Sequence, residues 1–469
     1  MAAKPDEKVS SRPADIKMQE NIVERSLPLD QHWYERFERW GSFESFDYLS
    51  GDKAYRAEQK EAFLSGKVRN PNLDYPNLDL SGLEERERAL LGLKQEILAE
   101  EKDTVVKQVY RWRLNEKIAE VRMLKTAASG DSRRFKRYSE FVFGKPSLPI
   151  FAYTVNRLRV LAEKYLHDEN DQINQVASSL IKLLPNNLRA NEIALPSQEN
   201  LTKAQEGTLE EFGDLLALVP KQNEIFTSEG IKNVFQQGLL ALKATGWLAV
   251  LDASKTAIGV VQEVKKIKIP ESRKMFYSRL CRLLVHEAGT HVKRRLAGER
   301  TKLRLLGLGL DRYEGGEEGI AMMREQAIGG KLADFAGFDG HLAIGLAVGL
   351  DDRPRDFREV FEIMGAYFLF DELVGGAEVE MARKASLKKA WNRCVRTFRG
   401  TDCQTRGACF TKDIAYREGN IGVWEVIANN PDEMMRFSVG KYDPSNCRHL
   451  LVLEQLGITN RELDSLEKS

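Results

Sequence analysis

The spacing of apolar residues changes twice along this chain, and it separates helix-forming from strand-forming regions. Up to about residue 235 apolar residues recur at intervals of three, four and seven, which is typical of amphipathic helices. The longest such stripe covers about residues 83–128 and is broken at most once. From residue 272 onward the helical spacing returns. Between the two helical regions, three short apolar runs predict the strands of a small sheet, at residues 247–252, 258–264 and 265–270.

These patterns divide the chain into three regions. Residues 1–28 are polar, of mixed charge and without an apolar period, and we interpret them as a disordered tail. Residues 29–235 are predicted to form a helical N-terminal region. Residues 236–469 carry the small sheet and the helices that follow it. The predicted fold class is therefore α+β, mostly α.

The composition is that of an ordinary soluble globular protein, and it excludes several classes of function. Hydrophobic residues make up 42% of the chain, and 71 basic side chains balance 70 acidic ones. This balance gives no single-sign field, so we expect no nucleic-acid partner. The longest apolar run, residues 342–350, is far shorter than the about 20 residues that cross a bilayer, and we expect no membrane partner. Five cysteines and a charged N-terminus favour a reduced, cytoplasmic protein of unknown oligomeric state.

Two of the six histidines lie five residues apart, in the string His-Glu-Ala-Gly-Thr-His at residues 286–291. In zinc peptidases a spacing of four puts both imidazoles on one helix face, with the intervening Glu facing the attacking water. On a regular α-helix His291 would stand about 140° around the axis from His286, too far to share an ion. A π-bulge would bring the two together, and Gly289 lowers the cost of that distortion. The string predicts a zinc site with Glu287 as general base; the alternative is two structural histidines.

A hydrolytic zinc site takes three protein ligands and keeps one position open for water. The third ligand is expected from a neighbouring helix, and a Gly-rich loop that opens a helix follows at residues 315–325. That segment contains three candidates, and spacing alone does not choose among them: Glu317, Glu318 and Glu325.

The string at residues 286–291, followed by Glu-Glu-Gly-Ile-Ala at 317–321, resembles the family of bacterial QEGLA-motif proteins and eukaryotic microtubule-associated tyrosine carboxypeptidases. That family carries His-Glu-x-Gly-Thr-His and then Gln/Glu-Glu-Gly-Leu-Ala, whose second Glu falls on Glu318. Further similar segments extend the resemblance over about residues 80–450, among them Phe-Gly-Lys-Pro-Ser at 143–147, Phe-Arg-Gly at 398–400 and Phe-Thr-Lys-Asp at 410–413. The mixed-charge tail, in place of a long basic arm, favours the bacterial branch.

The resemblance implies a zinc metallopeptidase with a zincin-like core in residues 236–469 and with three metal ligands, His286, His291 and Glu318. Tyr416 is the candidate for stabilising the oxyanion of the reaction. Arg399 and Lys412 are candidates for binding a substrate carboxylate, and the alternative is that both are surface cations.

We therefore predict a zinc carboxypeptidase that removes a C-terminal, aromatic residue from a protein or peptide. The alternatives are a zinc endopeptidase, an amide hydrolase, or a regulatory protein in which zinc is not catalytic. Two further residues, Thr290 and His341, are predicted to be structural: the first serves the helix distortion, with Gly289, and the second is a satisfied buried histidine.

Overall fold

The computed structural model describes residues 28–189, 191–221 and 225–458. The predicted disordered tail, apart from residue 28, lies outside these described residues. Within them, both the predominance of helix and the small sheet are confirmed. No helix in this part of the chain is long and apolar enough to cross a membrane.

Ten helices precede the sheet in the described residues: α1 Gln31–Gly41, α2 Ser45–Tyr48, α3 Lys53–Leu64, α4 Leu80–Glu100, α5 Thr104–Ser129, α6 Ser132–Phe143, α7 Leu148–Glu163, α8 Asp171–Leu183, α9 Gln198–Ala217 and α10 Ser228–Ala241. The predicted apolar stripe is confirmed as α4 and α5. Its break is a capped helix start, because Asp103 accepts hydrogen bonds from the backbone N–H groups of Val105 and Val106, both at 2.9 Å.

The three predicted strands form one mixed sheet in the order β1-β3-β2. Their bounds are β1 Leu248–Leu251, β2 Gly259–Val261 and β3 Lys266–Ile269. Strand β3 pairs in parallel with β1 and antiparallel with β2. Ile267 and Ile269 of β3 are fully buried in a core that they share with α9, α10 and the helices that follow the sheet. Among the described strands β2 pairs only with β3, so it is an edge strand of the sheet. It lies against the helix that carries the two histidines.

The chain after the sheet is again helical. Its elements are α11 Tyr277–Leu284, a π-helix Val285–Val292, α12 Lys293–Glu299, α13 Leu305–Leu308, α14 Glu314–Gly329, α15 Phe338–Val348, α16 Phe357–Val374, α17 Val379–Phe398, a 3-10 turn Thr411–Asp413, α18 Ile414–Asn429, a 3-10 helix Pro431–Arg436 and α19 Cys447–Leu456.

One apolar core joins helices from the two sides of the predicted boundary near residue 235. Trp33 of α1 and Tyr110 of α5 pack there with Leu305 of α13 and Leu453 of α19. Asp30, fully buried just before α1, accepts hydrogen bonds from the Tyr110 hydroxyl at 2.9 Å and the Leu305 backbone N–H at 2.8 Å. The N-terminal helices therefore form part of the packing that holds the C-terminal region.

Helices α14 and α18 cross in backbone contact, and glycines make this contact feasible. A Cβ atom placed on Gly419 would lie 1.9 Å from the carbonyl oxygen of Gly315. A Cβ on Gly319 would lie 2.3 Å from the carbonyl oxygen of Gly419. Because α14 also contacts the π-helix, this close crossing fixes how near α14 stands to the two histidines.

Replacing Gly419 with alanine is expected to lower the free energy of unfolding by about 1–3 kcal/mol, because the new methyl group forces α14 and α18 apart. The matched control is Gly365→Ala in α16, where an added Cβ meets nothing within 4 Å. That control should leave the protein as stable as before or more stable by up to about 1 kcal/mol. Urea unfolding followed by circular dichroism measures both, and equal stability of the two variants would contradict the close crossing.

Candidate metal centre

The helix that carries the two histidines is widened, as the five-residue spacing predicts. Residues Val285–Val292 form a π-helix that continues α11 and leads directly into α12. The ring centroids of His286 and His291 are 4.9 Å apart, with the rings at 77° to each other. Both imidazoles therefore lie on the same side of the helix.

Thr290 and Gly289 contribute to this widening in different ways. The Thr290 hydroxyl donates a 2.9 Å hydrogen bond to the carbonyl oxygen of Val285, five residues back, which confirms its predicted structural role. Gly289 is not among the residues with positive φ. A Cβ atom there would lie 3.0 Å from the ring of Phe212 and 3.4 Å from Leu215, so the glycine lets α9 pack closely against the widened turn.

Three side chains of the predicted site meet on the π-helix. His286, Glu287 and His291 are 6%, 6% and 8% exposed, and each offers one ligand atom within 4.8 Å of the others. Within residues 28–189, 191–221 and 225–458, this cluster is the one group of three or more His, Cys, Asp or Glu side chains that could hold a metal ion. A buried set of two imidazoles and a carboxylate can hold a metal ion.

All three candidate carboxylates on α14 face the histidines, but they do so differently. Glu317 Oε1 lies 2.8 Å from Nδ1 of His291, in a hydrogen bond. Glu325 Oε1 lies 2.8 Å from Nδ1 of His286, in a charge contact whose angle departs from that of a hydrogen bond. Glu318 Oε2 is 3.8 Å from the other nitrogen of His286, Nε2. Two carboxylates therefore engage the Nδ1 atoms and leave the Nε2 atoms for a ligand.

Glu318 fits the part of a metal ligand because its carboxylate oxygen has no partner. The Oε2 atom is buried and accepts no hydrogen bond, a costly arrangement for a carboxylate without a cation. Its 3.8 Å separation from His286 Nε2 is too long for a hydrogen bond. Two ligands in a tetrahedral zinc site are about 3.4 Å apart, given metal–ligand distances of about 2.1 Å. Two imidazoles and one carboxylate are also a donor set that catalytic zinc sites use.

Cations hold the other two α14 carboxylates in their ionised form. Arg294 and Lys441 both bond to Glu317, the latter at 2.8 Å. Burial alone would raise the pKa of Glu317, but these two cations and His291 hold it well below its usual range. Arg279 donates to Glu325 at 2.5 Å. Burial raises the pKa of this carboxyl too, but His286 and Arg279 lower it overall.

His286 thus sits in an environment that favours positive charge. Burial would lower the pKa of His286, yet the carboxylates of Glu325, Glu287 and Glu318 outweigh burial and raise this pKa to about 9. Burial raises the pKa of Glu287, partly offset by the two histidines. A bound cation would satisfy the same carboxylates.

Tyr416 lies close enough to Glu318 and Glu287 to be affected by their charges. The charge of Glu318, followed by burial, raises the pKa of the Tyr416 phenol well above its usual value, and Glu287 adds to the effect. The phenol therefore keeps its proton and can donate a hydrogen bond.

Lys412 lies near Glu318, and no ion pair or hydrogen bond holds its ammonium group within the described part of the chain. Its Nζ atom is 5.3 Å from the ring centre of Phe143. Burial would lower the pKa of Lys412, but Glu44, Glu314 and Glu318 outweigh it and hold this pKa above its usual value. The ammonium group is therefore charged and available to a ligand.

Arg399 is buried and not a surface cation. It is 8% exposed, and its Nε atom has no hydrogen-bond partner. The guanidinium lies over the ring of Phe46, 4.1 Å from the ring centre. Burial and the neighbouring Arg396 lower the pKa of Arg399 to about 10. An anion beside this group would relieve both effects.

The sequence did not reveal the roles of Glu317 and Glu325. Both were open candidates for the third ligand, and each instead contacts a histidine. A signal was present for Glu325: its seven-residue distance from Glu318 puts both on one face of α14. His341 is fully buried, and its Nε2 atom lies 2.8 Å from Glu418, in keeping with a structural histidine.

The chain is thus a mostly helical protein with a buried His-Glu-His cluster on a widened helix, and this cluster could hold a metal ion. A family model described as microtubule-associated tyrosine carboxypeptidase matches residues 209–333 and 379–462. The two segments carry the domain of this family, which confirms the resemblance and indicates a peptidase of the tyrosine carboxypeptidase type. They include the π-helix, α14 and all three outer candidates, Arg399, Lys412 and Tyr416. No curated protein matches the chain, and the bacterial branch stays a prediction.

Replacing Glu325 with glutamine is expected to weaken zinc binding about 10–100-fold, because His286 loses the carboxylate that orients its ring. The fold should persist, since the partner Arg279 is partly exposed and can be hydrated. Competition with a chromophoric chelator measures the affinity, and Glu210→Gln on the exposed face of α9 is the control. Wild-type affinity in Glu325→Gln would mean that another group orients His286.

Proposed function

We propose that this protein is a zinc carboxypeptidase that removes a C-terminal, aromatic residue from a protein or peptide. The observation that carries the proposal is the buried cluster of His286, Glu287 and His291 on a widened helix. The family match supports the peptidase class. In this proposal the small sheet and the π-helix are the core of a zincin-like catalytic region. All five cysteines are unpaired, which is consistent with a cytoplasmic protein.

His286, His291 and Glu318 would hold the zinc ion, and Glu287 would remain free for chemistry. A zinc ion in such a set lowers the pKa of a water molecule and polarises the substrate carbonyl group. Glu287 would accept the proton of the attacking water and pass it to the leaving amine as the peptide bond breaks. Tyr416 would donate its phenolic hydrogen bond to the oxyanion, which its raised pKa supports because the proton stays on the phenol.

A carboxypeptidase must also recognise the free terminal carboxylate. Lys412 and Arg399 both support this role, because neither forms an ion pair within the described residues and both keep a positive charge. Strand β2 would align the peptide, since it is an edge strand among the described strands and lies beside the π-helix, and an edge strand can pair with an extended backbone.

Glu287→Gln and Glu318→Gln should separate the base from the third ligand. The first is expected to keep zinc affinity and lower kcat by at least about 100-fold, because only the proton acceptor is lost. The second is expected to lose zinc, because an amide oxygen is a poorer ligand than a carboxylate. Metal content and peptide turnover are measured together on both variants. Loss of zinc in Glu287→Gln with retention in Glu318→Gln would reverse the two assignments.

Peptides that differ only at their C-terminus test the class of bond that is cut. A peptide ending in a free tyrosine should be shortened by one residue, and its amidated twin should resist, because the cation at Lys412 or Arg399 then has no carboxylate to bind. Lys412→Met and Arg399→Gln are made separately, and the one that binds the carboxylate should raise KM for the free peptide. Cleavage of both peptides at equal rates, as measured by mass spectrometry, would favour an endopeptidase or amide hydrolase. A zinc-loaded protein that cleaves neither peptide would favour the regulatory alternative.

A further inference from the structure

We propose that Arg324 and Thr290 are positioning residues that keep the active-site helix in its widened form, and that Glu211 and Ser438 hold Arg324 for this purpose. We call these four residues the clasp. Neither Arg324 nor Thr290 is offered as a metal ligand or as a group that touches the substrate. The proposal rests on the proposed function only where it concerns zinc affinity and turnover.

The Thr290 hydroxyl is used twice, once as a donor and once as an acceptor. It donates to the carbonyl oxygen of Val285 at 2.9 Å and accepts from Nη1 of Arg324 at 3.1 Å. On a regular α-helix a threonine hydroxyl bonds to the carbonyl three or four residues back. The bond to the carbonyl five residues back belongs to the widened turn, so the hydroxyl favours the π form directly.

Arg324 is fixed from two further directions. Its Nη2 atom donates to Glu211 on α9 at 2.7 Å and to the Ser438 hydroxyl at 2.8 Å. The Ser438 hydroxyl in turn donates to the other oxygen of Glu211. Arg324 is 2% exposed, so its guanidinium depends on these partners for stabilisation. The direction of its bond to Thr290 is therefore set by groups outside the active-site helix.

Helix α9 also contacts the widened turn at its two flanks. The ring of Phe212 stands where a side chain on Gly289 would be, and the Arg324 guanidinium lies 4.7 Å from the centre of that ring. Lys293, directly after the π-helix, pairs with Glu211 at 2.9 Å and lies 5.0 Å from the same ring. Two neighbouring residues of α9, Glu211 and Phe212, therefore hold the π-helix at Gly289 and at Lys293, directly after its end.

The geometry explains why the helix form matters to the metal site. A return to regular α-helical form would remove the extra residue from the turn and rotate His291 by about 100° relative to His286. The Thr290–Val285 and Thr290–Arg324 bonds would both break in that change. Because Arg324 belongs to α14, the clasp also ties the helix of Glu318 to the helix of the histidines. It therefore positions all three proposed ligands without contacting the ion.

The test compares Thr290→Val, which keeps the shape but loses both hydrogen bonds, with Thr290→Ser, which keeps the hydroxyl. Thr290→Val is expected to bind zinc about 10–100-fold more weakly and to change the visible absorption of the Co(II)-substituted protein. Thr290→Ser should keep the zinc affinity and the Co(II) absorption spectrum of the wild-type protein. The matched control is Thr154→Val in α7, a fully buried threonine whose hydroxyl donates to Ile150 four residues back at 2.8 Å.

A second measurement needs no metal. Amide hydrogen exchange at residues 285–292 of the metal-free protein should be at least about tenfold faster in Thr290→Val than in Thr154→Val, because the widened turn opens more often. Equal exchange and equal zinc affinity in these two variants would overturn the clasp. A wild-type protein that binds no zinc, but whose exchange shows the expected difference, would overturn the proposed function and leave the clasp standing.

Discussion

One extra residue in one helical turn is the constraint on which the metal site depends. Because they are five positions apart in the sequence, His286 and His291 cannot share an ion on a regular α-helix. On the π-helix their ring centroids come within 4.9 Å. A π-helix is rare and occurs mostly as a single widened turn inside an α-helix. Here neighbouring helices contact the widened turn, through Phe212 packed on Gly289 and Arg324 bonded to Thr290. The five-residue spacing of the histidines requires a widened turn, and contacts with neighbouring helices stabilise that turn.

The three candidate carboxylates of α14, Glu317, Glu318 and Glu325, show how position within one short segment decides chemistry. Glu317 is bonded to His291, Arg294 and Lys441, and Glu325 contacts His286 and Arg279, so both have their charge compensated. Glu318 has a buried oxygen that accepts no hydrogen bond, and its only ion-pair contact among the described residues is with His286 at 3.8 Å. The least satisfied of three similar carboxylates is the one that a metal ion would stabilise most. This difference in partners distinguishes the three, whereas their spacing from the histidines does not.

Local features of the fold could be predicted because they follow from the spacing of apolar residues and histidines along the sequence. The stripe that became α4 and α5, the three strands and the widening of the active-site helix follow from spacings within a few residues. The family motifs pointed to Glu318, Lys412 and Tyr416, and the roles assigned to these residues stay predictions. Contacts between side chains far apart in the sequence could not be predicted. Nothing local to Arg399 indicates that Phe46, from a distant helix, covers its guanidinium.

The contrast between the two unpartnered cations follows from what surrounds them. Lys412 is compensated by nearby carboxylates, which hold its pKa above the usual value. Arg399 is buried beside Arg396, and its pKa is lowered, so a ligand carboxylate there would replace solvation that the fold has removed. The ring of Phe46 covers the Arg399 guanidinium in place of water. Phe46 belongs to α2, outside the residues that the family model matches. Glu44, one of the carboxylates that compensate Lys412, immediately precedes the same helix. The N-terminal region therefore contributes to the environment of both cations. Differences in substrate preference between this chain and the proteins of the matching family are expected to arise there.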